Sequence, residues 1–159
     1  MYTTLLSPRT VRMLAGLVAL STTVACNDST GPEEDHAEEV AEIRLTVTPA
    51  AGAATTYAIR TTGTTPTPIQ LRVGTATVTA QVFDEDGENI TSELGSEFIV
   101  RVQPATGSNI TFAGTNAFSG TLTVAAGAVG NRTMQVDLYH TEEQHADFGP
   151  ITVNVAVTN

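Results

Sequence analysis

Thr133-Met-Gln-Val-Asp-Leu-Tyr139 and Ile151-Thr-Val-Asn-Val-Ala-Val157 are the two stretches that decide the fold. Apolar and polar residues alternate along both, which is the period of a β-strand with one buried face. In the first stretch the alternation puts Met134, Val136 and Leu138 in the inward row. The two stretches therefore predict a terminal hairpin, with the residues between them as its connection.

The same alternation recurs in short runs earlier in the chain, and Gly, Pro or Asp residues end most of these runs. It predicts strands at 42–48, 55–61, 69–73, 76–82, 98–102, 110–112 and 118–124, with a loop at 63–68 and a turn at 125–132. With the terminal hairpin this makes about eight or nine strands and no convincing amphipathic helix. We therefore expect an all-β fold, a single sandwich of two sheets.

Residues 1–25 have the layout of a secretory signal. Residues 1–12 hold two arginines and no acid, residues 13–20 are an apolar core too short to span a bilayer, and small residues precede Cys26. This end resembles a bacterial lipoprotein signal with its lipobox, although Thr23 stands where Leu, Val or Ile is usual. The resemblance implies that Cys26 carries acyl chains such as palmitate and becomes the first mature residue. The alternative is an ordinary cleaved signal followed by an unmodified cysteine.

Lipidation would give Cys26 a membrane-anchoring role. It is the only cysteine, so no intrachain disulfide can form. Two or three acyl chains would hold the protein on a membrane, since each buried CH₂ contributes about 0.8 kcal/mol. By the same resemblance, Asn27 rather than Asp after the cysteine indicates the outer membrane of a bacterial cell envelope.

Residues 26–41 contain six acids, no base and almost nothing to bury. This composition predicts a disordered tether, extended by self-repulsion, between the anchor and one folded domain at 42–159. His36 lies in the acidic run. It is either a solvated side chain or, if the tether folds back, a further metal ligand.

The mature chain is strongly acidic. It contains all seventeen acids but only five of the seven arginines, and no lysine, which gives a net charge of −12. Such a surface is a poor partner for nucleic acid and for anionic lipid. Metal cations and basic envelope proteins suit it better, and the alternative is that the charge serves only solubility.

Residues 69–90 resemble bacterial immunoglobulin-like domains. In that family a short strand ending in Val-Gly precedes a long strand and an Asp-x-Asp-Gly turn, as do Val73-Gly74 and Asp84-Glu-Asp-Gly87 here. The resemblance implies that the sandwich is immunoglobulin-like. The chain has no tryptophan, so Phe98 would fill the usual core position.

Residues 140–149, His-Thr-Glu-Glu-Gln-His-Ala-Asp-Phe-Gly, bring two histidines together with three carboxylates. Imidazole nitrogens and carboxylate oxygens that converge about 2.0–2.3 Å from one point bind divalent transition metals. Zinc, copper or iron is expected ahead of calcium because of the imidazoles. The predicted ligands are His140, His145 and Asp147, with Glu142 or Glu143 as a further carboxylate. The alternative is a solvated loop in which two histidines occur by chance.

The other motifs in the sequence are weaker indications of function. Residues 84–88 resemble the start of a calcium loop, but the following residues lack its pattern, so a tight turn is predicted. No nucleophile elbow, phosphate-binding glycine loop or lysine base is present, so we do not expect an enzyme. We expect a membrane-anchored envelope module that captures a divalent metal. The alternative is a structural, or a protein- or glycan-binding, module of the envelope.

Overall fold

The computed structural model describes residues 39–159, which form ten β-strands. In chain order these are β1 (Val40–Pro49), β2 (Thr55–Arg60), β3 (Gly63–Thr65), β4 (Ile69–Arg72), β5 (Gly74–Asp84), β6 (Phe98–Pro104), β7 (Ile110–Asn116), β8 (Ser119–Val124), β9 (Gly130–His140) and β10 (His145–Thr158). A short 3-10 helix, Ala126–Ala128, precedes β9, and no α-helix occurs in this part of the chain.

The strands form two sheets that pack face to face. One sheet has the order β3-β2-β1-β5-β8-β7 and the other β4-β10-β9-β6. Alternate apolar residues of both sheets meet in one core. The predicted inward row of β9 is confirmed, because Met134, Val136 and Leu138 are all buried. Residues 39–159 are thus an all-β sandwich, as the sequence predicts.

Phe98 is buried in the core at the start of β6. The predicted tight turn at 84–88 is confirmed, and in it the Glu88 N–H donates to Asp84 Oδ1 at 2.8 Å. Gly87 supplies the positive φ of +83° that this turn requires.

The prediction of a loop over 63–68 is wrong for its first three residues. Gly63–Thr65 forms β3, which pairs antiparallel with β2 from Arg60↔Gly63 to Ala58↔Thr65. Branched threonine side chains suit a strand, and here the pairing with β2 outweighs the loop signal of the surrounding Gly and Pro. β3 makes ten strands, one more than the upper count from the sequence.

Two predicted boundaries are wrong as well. β1 begins at Val40, inside the predicted tether, because Val40 pairs with Asp84 ahead of a bulge in the β1–β5 ladder. β9 begins at Gly130, inside the predicted turn at 125–132, because Gly130 pairs with Val157. In both places the strand pairing extends past the segment in which apolar and polar residues alternate.

One strand pair is parallel. β4 lies beside β10 in parallel register from Ile69↔Val155 to Arg72↔Thr158, whereas the other pairs are antiparallel. Since β3 and β5 belong to the opposite sheet, the chain crosses between the sheets before and after β4. β10 therefore has a neighbour on each side, and this holds the terminal hairpin inside its sheet.

The predicted signal at 1–25, Cys26 and His36 lie outside the described residues, as does the tether up to residue 38. Within residues 39–159, the structure has no helix with the length and apolarity needed to cross a membrane.

The outward face of the four-stranded sheet carries an ion pair that the sequence did not indicate. Asp137 lies in the outward row of β9 yet is 0% exposed. Arg101 donates from Nε and Nη2 to its two carboxylate oxygens, each at 2.8 Å, and Gln103 donates to Oδ2 at 3.2 Å. The guanidinium also stacks 3.5 Å from the centroid of the Tyr139 ring. The hydrogen bond with Asp137 raises the pKa of Arg101. Arginine is protonated at every physiological pH, so Asp137 always faces a cation.

We expect Arg101→Met to lower the free energy of unfolding by about 3–5 kcal/mol, because the buried carboxylate of Asp137 would lose its cation. The double variant Arg101→Met/Asp137→Leu should recover part of that loss, since neither charge then remains. Urea denaturation of the parent, both single variants and the double variant measures the coupling. Strictly additive losses would contradict the role assigned to this pair.

A second prediction concerns Gly149, in an irregular part of β10. Its φ is +88°, and an added Cβ would lie 2.8 Å from the Val136 carbonyl oxygen. Gly87 has a similar φ of +83°, but nothing lies within 4 Å of an added Cβ. We expect Gly87→Ala to cost about 1 kcal/mol of unfolding free energy and Gly149→Ala about 2 kcal/mol more. Equal losses in urea denaturation would show that the close approach at Gly149 is unimportant.

Candidate metal site at the β9–β10 hairpin

The end of the β9–β10 hairpin lies at the rim of the sandwich, where three side chains form one row across neighbouring strands. His140 on β9 pairs with Phe98 on β6 and with His145 on β10. Residues directly opposite in adjacent strands project to the same side of a sheet. The backbone pairing therefore brings both imidazoles to one side.

The connection is much shorter than the predicted ten-residue loop at 140–149. β9 and β10 stay paired as far as His140 and His145, so only residues 141–144 form the turn. The Gln144 N–H donates to the His140 carbonyl at 2.9 Å, and Gln144 adopts a left-handed φ of 60°. This closed turn fixes which residues of the two strands face each other.

Two hydrogen bonds also attach the turn to the start of β6. The backbone N–H and the hydroxyl of Thr141 both donate to the Glu97 carbonyl, each at 2.8 Å. Glu97 immediately precedes Phe98. The turn is thus attached to the strand that supports His140.

The two imidazoles differ in their surroundings. The His140 ring stacks on Phe98 with a centroid separation of 4.6 Å and an interplanar angle of 15°, and its side chain is 17% exposed. The His145 ring meets His140 edge to face, with centroids 5.9 Å apart, and is 54% exposed. His140 is therefore held against the core, while His145 lies open to solvent.

A β-bulge places Asp147. Ala146 pairs with Tyr139 and Phe148 with Leu138, so Asp147 is an extra residue in β10 without a partner in β9. Its Oδ1 lies 2.7 Å from His145 Nε2. The bulge thereby brings a carboxylate onto the ring of the histidine two positions earlier.

Glu143, within the turn, approaches both rings from another direction. Its Oε2 lies 3.5 Å from His140 Nδ1 and 3.4 Å from His145 Nδ1. The two nitrogens of His145 thus face two different carboxylates. A neutral imidazole has one N–H donor and one acceptor nitrogen, so it cannot donate to both carboxylates at once.

Three predicted ligands come together. One ligand atom each from His140, His145 and Asp147 lies within 4.8 Å of the others. Glu143 is not one of this group of three, but its Oε2 contacts both histidines. Glu142 is exposed in the turn and does not belong to the group of three.

Phe98, the residue that orients His140, was not recognised from the sequence as part of the site. The 42-residue separation between them hides the contact, which only the β6–β9 pairing creates. The sequence signal that was available is the alternation along β9, which continues to His140 and places it in the inward row.

Two other polar features offer less chemistry. The buried carboxylate of Glu42 is paired with Arg44 and Arg60, so it is already neutralised. A shallow, open surface depression of about 410 Å³ is lined by Ser108, Arg132 and other small or polar residues. Its only cation is Arg132, which donates hydrogen bonds to backbone carbonyls that include that of Ser108. The hairpin is therefore the better candidate site.

No protein-family model, curated protein or solved structure matches this chain. The chemistry of the hairpin and the charge of the chain are thus the grounds on which a function can be proposed.

Proposed function

We propose that this protein is a lipid-anchored module of the bacterial envelope that captures a divalent transition metal at the tip of its β9–β10 hairpin. The observation that supports the proposal most strongly is the grouping of one ligand atom each from His140, His145 and Asp147 within 4.8 Å of one another. Ligand atoms around a tetrahedral zinc are about 3.3 Å apart, so these atoms would have to approach one another by at most about 1.5 Å.

The donor set favours particular metals. Two imidazole nitrogens with carboxylate oxygens suit zinc, copper or iron, whereas calcium takes six to eight oxygen ligands. In the described part of the chain, only four protein donors lie around the two rings, from His140, Glu143, His145 and Asp147, which is too few for calcium. Among first-row divalent ions, Cu²⁺ should bind most tightly, ahead of Zn²⁺.

Local charge supports cation binding too. Glu143 and Asp147 lie against imidazoles, and no arginine is paired with either of them among residues 39–159. A divalent cation would offset these charges where the protein supplies no cation of its own.

The lipid anchor rests on the sequence. The signal at 1–25, the cysteine that follows it and the acidic tether together support attachment of the sandwich to an envelope membrane. The immunoglobulin-like character of the sandwich likewise rests on the motif at 69–90.

A protein- or glycan-binding module without a metal is the rival function. Among residues 39–159, only Val73 and Val129 are large hydrophobic residues with exposed side chains. Stable interfaces usually have an apolar centre, which this surface does not provide. The metal proposal is therefore the stronger of the two.

We expect Zn²⁺ at about 100 times its dissociation constant to stabilise the full chain by about 2.7 kcal/mol. This corresponds to a rise in melting temperature of roughly 10 °C for a domain of this size. Thermal unfolding followed by circular dichroism, with and without Zn²⁺, measures the rise.

The double variant His140→Ala/His145→Ala should lose this response, whereas Glu142→Gln, a matched change in the same turn, should keep it. His36→Ala should also keep it, which separates the hairpin from the tether. If Zn²⁺ and Cu²⁺ leave the melting temperature of the parent unchanged, the proposed function is lost.

A separate prediction tests the anchor. Cells given an alkyne analogue of palmitate should label the parent protein, and Cys26→Ser should abolish the label because it removes the sulfur that carries the acyl chain. Ser29→Ala, a matched change three residues away, should retain it. An unlabelled parent would indicate an ordinary cleaved signal.

A further inference from the structure

On the basis of the proposed metal capture, we infer that Glu143 is the carboxylate ligand and that Asp147 is a positioning residue. In this arrangement the ion binds Nδ1 of His140, Nδ1 of His145 and the Glu143 carboxylate. Asp147 holds His145 from its opposite nitrogen. This differs from the ligand set that the sequence predicts, in which Asp147 binds the metal directly.

The two sides of the His145 ring cannot serve one ion together. Nδ1 and Nε2 project in different directions from the ring, so a metal bound at one nitrogen is remote from the carboxylate beside the other. Glu143 lies on the Nδ1 side and Asp147 on the Nε2 side. The carboxylate ligand therefore depends on which nitrogen binds the ion.

The distances from Glu143 to the two imidazoles favour the Nδ1 side. Ligand atoms around a tetrahedral zinc at about 2.0–2.1 Å are separated from one another by about 3.3–3.4 Å. Glu143 Oε2 lies 3.5 and 3.4 Å from Nδ1 of His140 and His145, which matches this separation. Asp147 Oδ1 lies 2.7 Å from His145 Nε2, which is too short for a tetrahedral edge and is typical of a charge-assisted hydrogen bond.

The contact with Asp147 matches the usual support of a metal-binding histidine. Such a histidine commonly donates the N–H of its other ring nitrogen to a carboxylate, which fixes the tautomer and the ring orientation. Asp147 is placed by the bulge and its side chain is 23% exposed, whereas the side chain of Glu143 in the turn is 58% exposed. The restrained carboxylate is suited to orienting the ring and the freer one to adjusting around an ion.

This arrangement gives three protein ligands, with the fourth position open to water or a donor from solution. His145 and Glu143 are each more than half exposed, so nothing in the described hairpin covers them. An open position on an exposed rim allows an ion to enter and leave without unfolding the hairpin.

Nitrogen-15 NMR of the zinc-loaded full chain tests the assignment without any substitution. We expect His145 to show a metal-bound Nδ1 and a protonated Nε2, with His140 also bound through Nδ1. A metal-bound Nε2 in His145 would overturn the inference while leaving metal capture intact. If the parent binds no zinc, the proposed function itself fails.

Zinc affinities measured by chelator competition give a second test. Glu143→Gln should weaken binding on the order of 100-fold, because it removes an anionic ligand. Asp147→Ala should weaken it about 10-fold, the effect expected for a supporting residue, and Asp147→Asn less, because the amide oxygen still accepts the Nε2 hydrogen bond. An Asp147→Asn loss equal to or larger than that of Glu143→Gln would assign Asp147 as a ligand and overturn the inference. Metal-free melting temperatures of the variants separate affinity from folding.

Discussion

The register of the β9–β10 hairpin is the constraint on which the site depends. A four-residue turn closed by the Gln144-to-His140 hydrogen bond sets His140 opposite His145. A slip of one residue would send the two imidazoles to opposite faces of the sheet. Any metal site here thus depends on backbone pairing and on the attachment of Thr141 to the neighbouring strand. Propensity of the loop residues alone would not create it.

Two irregularities in β10 explain why the sequence pattern failed in this segment. β9 keeps even-numbered residues inward, and they face His145, then Phe148, then Ile151 on β10, so the inward parity of β10 changes twice. One extra residue at Asp147 and another before Ile151 shift the phase by one each, and the second shift restores the original phase. Ile151 onward therefore alternates as a strand in the sequence, whereas the residues between the shifts read as a loop. Alternation and composition predicted the strands, the sandwich and the histidine–carboxylate cluster. They did not predict the bulge that places Asp147.

Burial of charge shows a similar limit. Alternation assigns Asp137 to the outward row, which is its position, but outward residues in a central strand can still be covered by long neighbours. Arg101 and Gln103 on the adjacent strand close over it, and their contact depends on a pairing across 36 and 34 residues of sequence. The expectation that polar residues of a strand face solvent fails at Asp137 because the neighbouring strand carries long side chains that cover it. Asp137 shows that a position in the polar row does not imply exposure.

The distribution of the few arginines links these features. Arg101 pairs with Asp137, and Arg44 and Arg60 both pair with Glu42, so three of the five arginines within residues 39–159 stabilise two buried carboxylates. Burying an unpaired carboxylate costs free energy because water can no longer solvate it. Most of the few arginines therefore lie beside buried carboxylates. In the hairpin, Glu143 and Asp147 contact imidazoles instead of arginines. An imidazole offsets a carboxylate charge only when it is protonated or when it binds a metal together with the carboxylate. The same shortage of arginine that leaves the chain acidic thus leaves its hairpin tip with donors for a cation and no cation of its own.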